Sequence, residues 1–358
     1  MKVAINAAFL HRPDTGSGQY LLHLIEEFRQ PDYGIEAQLI EPRSDSNLEK
    51  LRFEQLGFPF MAKALRADLA HVPYFGSAFV PRAPTVVTIH DLIPLVLPLY
   101  RGSLQVRAYT QLVAAAAIRA HAIIADSESS KRDIVRMLGI DERKVHVIYL
   151  AADARYRRVT EAATLEAVRA KYQLPDSFVL YLGGFDQRKN VMNLVRAFVK
   201  VAKGLPDHRL VLAGYPPPNV SPLFPDVVKL VDELELGERV RFIGGVSEED
   251  KPALYTLADC FVFPSYYEGF GLPPLEALAC GAPVVAGDTS SLVEIVGNAG
   301  FLIQPDDVNR MAGAIIASIV DEPLRRELIA KGLAQAAKFS WQQCARETVA
   351  VYREVLNH

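Results

Sequence analysis

Short unbroken apolar runs alternate along this chain with longer stretches in which apolar residues recur at helical spacing. In the first half the runs are Val3–Phe9, Ala37–Ile40, Leu69–Val72, Thr85–Ile89, Ala122–Ala125 and Val145–Ile148, and helical spacing covers Gly18–Arg29, Leu104–Ala120 and Ser127–Leu138. A second series has runs at Phe178–Leu182, Leu210–Ala213, Val240–Ile243, Asp259–Pro264 and Pro283–Ala286. Helical spacing there covers Asn190–Ala202, Asp226–Leu234, Glu248–Leu257 and Leu275–Cys280. Strands buried on both faces of a parallel sheet read as continuous apolar runs, and their alternation with helices defines α/β domains. Two series therefore predict two doubly wound domains, with ligands beyond the carboxyl ends of the strands. Ala151 to Asp176 is polar, charged and without a strong strand, and is read as the linker. The expected division is 1–160, 161–338 and a tail, 339–358, with helical spacing from Trp341 to Leu356.

Composition agrees with this division. A chain of 358 residues is too long for one ordinary core, and 50% hydrophobic content is ample for buried sheets. A net charge of −3 gives no support to general nucleic-acid binding. Cys260, Cys280 and Cys344 are odd in number and widely spaced, so they read as small buried hydrophobes in a reducing cytosol. No segment has the apolar length of a membrane span. Met1–Leu10 is too short and interrupted for a signal peptide and reads as a first strand. A cytoplasmic protein is the expectation, with peripheral contact at the inner face of the membrane left open. Leu92–Tyr100, followed by Arg101, Arg107 and Arg119, is either a lipid-headgroup contact or a buried loop entering a helix.

The most specific chemistry lies in Pro264–Val285. Glu268 and Glu276 frame a glycine-rich turn, with seven residues between them, that leads from the strand Cys260–Phe263 into a short helix. Pro273 or Pro274 suits the first helical turn, and Gly281 the position past its end. A helix N-terminus is an anion site, and Gly269 and Gly271 have no side chain to hold a ligand off the backbone. Glu268 on the loop and Glu276 on the first turn would flank the anion and accept hydrogen bonds from the hydroxyls of a sugar or ribose. Taken singly, Glu276 can merely favour the positive helix end, and Glu268 can be a solvated loop charge.

Tyr181–Asn190 also follows a strand and opens a helix, with Asn190 as its N-cap. Arg188 and Lys189 stand where the macrodipole disfavours cations. An anion between them and the helix explains that placement; extension of both into solvent is the alternative. His90 ends the strand in Val86–Pro94, where a structural histidine oriented by Asp91 is the plainer reading of the residues alone. In Asp14–Tyr20, Gly16 and Gly18 can cradle a phosphate or form an ordinary turn, since the Lys-Ser/Thr ending of a P-loop is missing. In Asp126–Arg132, Ser127 or Ser130 reads as a helix cap without a catalytic part. Gly245 and Val246 follow another strand, where glycine permits close approach or simply a turn.

The Glu-x7-Glu pattern, continued through Glu276–Val285 as Glu-Ala-Leu-Ala-Cys-Gly-Ala-Pro-Val-Val, resembles the signature of retaining glycosyltransferases of family 4. Their GT-B fold has two Rossmann-like domains facing across a cleft, and the last helix usually returns to the first domain. The resemblance spans nearly the whole chain and is strongest from Tyr181 to Val285. It implies transfer of a hexose from a nucleotide-diphosphate sugar to an acceptor hydroxyl, with retention. Donor sugar and diphosphate contacts then fall on Glu268, Gly269, Phe270, Gly271 and Leu272, and the ribose on Glu276. Arg188 and Lys189 would hold the diphosphate, and His90, supported by Asp91, would approach the sugar from the other domain. The catalytic parts thus go to His90, Glu268, Arg188 and Lys189. Gly16 and Gly18 would lie near donor phosphate and acceptor, and the backbone of Gly245 and Val246 would read the base. One departure is Gly184, where many members carry an arginine, so the diphosphate would rest more on the two later cations.

The Arg-Lys-Asn form looks most like bacterial mannosyltransferases. It favours GDP-mannose slightly over UDP-hexoses, with a surface polysaccharide or lipid-linked glycan as acceptor. The alternatives are a GT-B-fold sugar-nucleotide epimerase, which needs acid/base residues, and a nucleotide-sugar-binding protein without turnover. The nucleotide sugar is a substrate, and no cofactor is expected. No metal is expected either, because Arg188, Lys189 and the helix amides would replace a cation's charge.

Overall fold

The computed structural model describes residues 1–12, 15–44 and 46–357. The chain forms two compact units: Met1–Leu150 with Ser340–His358, and Ala151–Phe339. Asp14 lies outside the described residues.

The first unit is built on six strands: β1 (Lys2–Asn6), β2 (Glu36–Ile40), β3 (Leu69–Val72), β4 (Thr85–Ile89), β5 (Ala122–Ala125) and β6 (Val145–Val147). All pair in parallel, in the order β2-β1-β3-β4-β5-β6. The three central strands β3, β4 and β5 are buried at every position, as their unbroken apolar character requires. Parallel pairing puts all their carboxyl ends on one edge. In register, Ile89 of β4 pairs with Ala125 of β5, and Val72 of β3 pairs with Val87 of β4.

The final helix, Trp341–Asn357, belongs to this unit. Its Tyr352 is fully buried, with its hydroxyl 2.6 Å from Nδ1 of His71. Trp341 stacks on His23 at 4.4 Å. His71 is itself buried against Thr88, and burial, with the nearby His90 adding to it, drives its pKa down to about 3, so it is a neutral core histidine.

A second buried polar cluster joins the segment Phe53–Gly57 to the sheet. The Glu54 carboxylate accepts the hydroxyls of Tyr74 and Tyr109, each at 2.9 Å, and lies 3.8 Å from Lys50. Burial pushes its pKa up to about 7 against the opposing pull of Lys50 and the two tyrosines.

The second unit carries β7 (Phe178–Leu182), β8 (Arg209–Ala213), β9 (Val240–Gly244), β10 (Cys260–Phe263), β11 (Val284–Gly287) and β12 (Phe301–Ile303), in the order β12-β11-β10-β7-β8-β9. All pair in parallel. Its core includes Phe178, Tyr181, Phe198, Phe261 and Phe263, all fully buried.

Several boundaries differ from the periodicity. Ala162–Lys171 is a helix inside the segment read as a linker, with Val168 as its buried residue. It is hard to see in the sequence because it has almost no apolar face. The strand β12 is three residues long and only one is buried, which leaves no apolar run to detect. The helices Val308–Val320 and Glu322–Ala336 complete the unit. The helix Leu272–Ala279 starts three residues before the predicted Leu275, because its prolines fit the opening turn.

Candidate functional site

In the second unit the sheet order makes β7 and β10 neighbours, although their sequences are far apart. The segments that leave their carboxyl ends therefore meet. One is the turn Gln187–Lys189, and the other is the loop from Pro264 to Gly271. Glu268 Oε1 lies 2.7 Å from Nη1 of Arg188 and 2.7 Å from Nζ of Lys189. The three side chains are only 12–13% exposed. Lys189 Nζ also sits 4.6 Å over the ring of Phe263, the last residue of β10. Asp186 approaches Arg188 at 3.5 Å.

Burial works against every charge in this cluster. It would raise the Glu268 pKa, but the attraction of Lys189 and Arg188 prevails and holds the carboxyl below its ordinary value. Burial also lowers the Lys189 pKa, and the pull of Glu268 offsets this only in part. Neither cation extends into solvent. The placement that disfavours them at a helix start is compensated here by one shared carboxylate.

The backbone of the loop is clamped from the following turn. Ser290 Oγ accepts the Glu268 amide at 2.8 Å, and Ser291 Oγ donates to the carbonyls of Glu268 and Phe270 at 2.9 and 2.5 Å. Arg188 ties the two segments together by donating to the Tyr267 carbonyl at 2.9 Å, and Tyr266 N donates to the Arg188 carbonyl at 2.8 Å. Asn190 holds the N-cap position but does not cap with its side chain. At φ +58° its amide turns away and donates to the carbonyls of Pro264 and Pro305.

Gly269 leads into Phe270, which is buried with its ring edge-on to Phe339. Gly271 has φ +114°, a backbone conformation that strains any other residue, and a Cβ there would lie 2.9 Å from the Leu292 side-chain methyl, which would have to shift. Leu272 opens the helix. Pro273 and Pro274 contribute no N–H, and Leu275 N donates to the Gly271 carbonyl. The anion capacity of this turn therefore rests on the Leu272 amide, and not on several amides as the sequence suggests.

Glu276 falls in the second helical turn, a correction to its expected place in the first; the helix simply begins earlier. The Tyr255 hydroxyl donates to its Oε2 at 2.8 Å, and burial raises its pKa to about 7 despite the nearby Lys251. Gly245, after β9, lies under the exposed ring of Tyr215, where a Cβ would come within 2.9 Å. Val246 packs partly buried against the core.

In the first unit, His90 follows β4. Its Nδ1 lies 2.7 Å from Oδ2 of Asp126, the residue after β5, and its Nε2 lies 3.1 Å from the Pro73 carbonyl. Asp91 accepts the Ile93 amide at 2.9 Å, so the carboxylate hydrogen-bonded to the ring is that of Asp126. The sequence signal was present, an acid directly after an apolar strand, but Ser127 capping accounted for the segment. That cap exists: Ser127 Oγ accepts the Ser130 amide at 3.0 Å. Gly16 and Gly18 lie in the first turn of the helix Gly16–Phe28, not in a loop before it. Thr15 Oγ1 accepts the Gly18 amide, and a Cβ on Gly18 would overlap the Arg12 carbonyl, which explains that glycine by packing. A Cβ on Gly16 meets nothing. Among the described residues no group of three or more His, Cys, Asp or Glu could hold a metal ion.

Residues 166–335 match the family described as Glycosyl transferases group 1, and residues 15–156 match Glycosyltransferase Family 4. The chain belongs to this family of glycosyltransferases and has its GT-B fold. It is 30% identical to O-antigen chain mannosyltransferase B of Escherichia coli, covering 99% of this chain and 100% of that protein. It is 33% identical to the serotype-specific mannosyltransferase WbdA of Escherichia coli over 76% of this chain, which spans 34% of that larger protein. Among solved structures it superposes on sucrose-phosphate synthase of Thermosynechococcus elongatus with a TM-score of 0.81, 23% identity and coverage of 100% and 99% of the two chains. HepE of Anabaena in complex with UDP gives 0.76 at 20% identity, with 99% of both chains covered.

Proposed function

We propose that this glycosyltransferase moves a mannosyl group, with retention, from GDP-mannose to a growing surface polysaccharide. The observation that carries the reading is the cluster of Arg188, Lys189 and Glu268 beyond adjacent strand ends. Two buried cations with one carboxylate between them suit a donor that brings its own diphosphate. The phosphate oxygens take over Arg188 and Lys189, and charge that develops on the leaving group is met where it forms. Glu268, released from the cations, accepts hydroxyls of the sugar and fixes its position. Leu272 N–H adds a donor, Glu276 takes the ribose, and the backbone at Gly245 and Val246 takes the base. His90 is assigned to the sugar, and Gly16 to the phosphate and acceptor side. The mannosyl donor and polysaccharide acceptor are supported by the mannosyltransferases to which the chain is similar. Metal-independent turnover is part of the proposal.

Thermal-shift screening against GDP-mannose, UDP-glucose and related nucleotide sugars tests the donor, since preferential binding stabilises the folded state. Product anomer analysis with mannan oligosaccharides tests acceptor and retention. A changed sugar nucleotide without acceptor would instead indicate epimerisation, and an intact one with binding would indicate a protein without turnover.

Peripheral contact with anionic lipid is also proposed. Leu99, Leu104 and Val106 are 46%, 80% and 43% exposed, beside exposed Arg101 and Arg107. No helix among the described residues is long and apolar enough to cross a membrane. Absence of vesicle flotation at low salt would reject this contact.

A further inference from the structure

The strands flanking β4 end on either side of His90, and each supplies the ring with an acceptor. Asp126 follows β5 and offers Oδ2 to Nδ1 at 2.7 Å; Pro73 follows β3 and offers its carbonyl to Nε2 at 3.1 Å. A carbonyl oxygen and an ionised carboxylate only accept. A neutral imidazole has one N–H, so it satisfies one partner and turns a lone pair on the other. Both contacts are satisfied together when both ring nitrogens carry protons.

Asp126 makes the same demand from its side. Its side chain is 2% exposed, and Oδ1 has no hydrogen-bond partner. A carboxylate so deeply buried is stabilised by a cation, and the group it meets is His90. The other groups facing the ring agree. Asp91, next in the chain, adds negative charge. His71 of β3 is kept neutral by burial, to which the charge on His90 contributes. Tyr20, edge-on to the ring at 5.1 Å, is kept protonated by burial. Burial, the largest single influence, lowers the His90 pKa, but the attraction and hydrogen bond of Asp126, with Asp91 and the Pro73 carbonyl adding to them, outweigh it and the net direction is upward.

We infer that Asp126 is a positioning residue that holds His90 as a doubly protonated imidazolium, so that His90 serves sugar transfer as a fixed, hydrogen-bonded positive charge and not as a proton acceptor. The part about transfer rests on the proposed function; the protonation state does not. With both nitrogens committed, the ring cannot take a proton from an acceptor hydroxyl.

The test is a long-range ¹H–¹⁵N correlation spectrum of the full chain labelled in its histidine rings, with His90→Gln to assign the signal. At about pH 7.5, a unit above the ordinary histidine value of ~6.5, both His90 nitrogens should show protonated shifts. A neutral tautomer there overturns the inference. Asp126→Asn should lose the doubly protonated signature at that pH, and Asp126→Glu should restore it. Transfer by Asp126→Asn should fall about tenfold per pH unit above the lowered pKa, the slope of one proton, where the wild type stays flat. A folded Asp126→Asn with the wild-type spectrum and pH profile overturns the role of Asp126. If Asp126→Asn does not fold, the wild-type spectrum and Asp126→Glu decide. Lack of turnover with every nucleotide sugar, with the wild-type spectrum as expected, overturns the proposed function and the role in transfer but not the protonation state.

Discussion

Lys189 Nζ and Glu268 Oε1 lie 2.7 Å apart, and Arg188 shares the same carboxylate oxygen. The cations proposed to hold a diphosphate are thus already neutralised in part by the residue proposed to hold the sugar. Binding of the donor becomes an exchange of partners. On that proposal the carboxylate keeps the two buried cations in place until phosphate oxygens replace it.

Removing either cation should weaken the nucleotide. For Arg188→Ala and Lys189→Ala, each loss of a charge-assisted contact costs roughly 1.5–3 kcal/mol. Calorimetry with GDP should therefore register about a tenfold to more than hundredfold weaker affinity. Unchanged affinity in both variants would remove the pair from the donor site.

Removing the carboxylate should act differently. Glu268→Gln leaves two buried cations without their shared partner, a class of change that costs about 3–5 kcal/mol. Its melting temperature should fall, and GDP should raise it by more than in the wild type, because phosphate supplies the missing charge. Turnover should still drop, since the sugar loses its charged acceptor and keeps only the weaker amide oxygen. A smaller shift with GDP than in the wild type would count against the exchange.

Nucleotide affinity should depend on pH through Glu276. Its pKa, raised by burial to about 7, means the carboxylate forms only as pH rises through neutrality. An ionised carboxylate accepts ribose hydroxyls better, so GDP affinity should increase between about pH 6 and 8. Glu276→Gln should bind more weakly at the upper end and flatten this trend; a parallel trend in the variant would assign the dependence elsewhere.

Stability should carry the signature of Glu54. Its folded pKa is raised from 4.5 to about 7, chiefly by burial. The favourable contribution is therefore full below the unfolded value and is lost as pH rises through 7. Within that window the slope is at most about 1.4 kcal/mol per pH unit. Thermal melts should show lower stability at about pH 8 than at about pH 5, and Glu54→Gln, which can still accept from Tyr74 and Tyr109, should reduce the difference. An undiminished difference in Glu54→Gln would exclude this group as the source.

Much of the architecture was legible. Unbroken apolar runs marked eleven of the strands, because a strand covered on both faces has no polar side to interrupt the run. The glycines and prolines around Leu272 marked the turn and helix, because few residues tolerate that backbone. What escaped notice had weak local signals: β12 is three residues long, and Ala162–Lys171 buries only Val168. Ser290 and Ser291, which clamp the Glu268 loop, are unremarkable as sequence.

The chain by itself determined which residue types stand at strand ends: cations after β7, a carboxylate after β10, a histidine after β4 and an aspartate after β5. Only the tertiary structure decided which of them touch. The crossover order of a parallel sheet is set by how helices cover both faces, not by the strands' own sequences. Placing β7 beside β10 joined Lys189 to Glu268, and placing β4 between β3 and β5 gave His90 Asp126 on one side and Pro73 on the other. Asp91, the neighbour in sequence, was left to hold the backbone amide of Ile93, because a side chain that short reaches its own turn more readily than a ring directed toward the next strand.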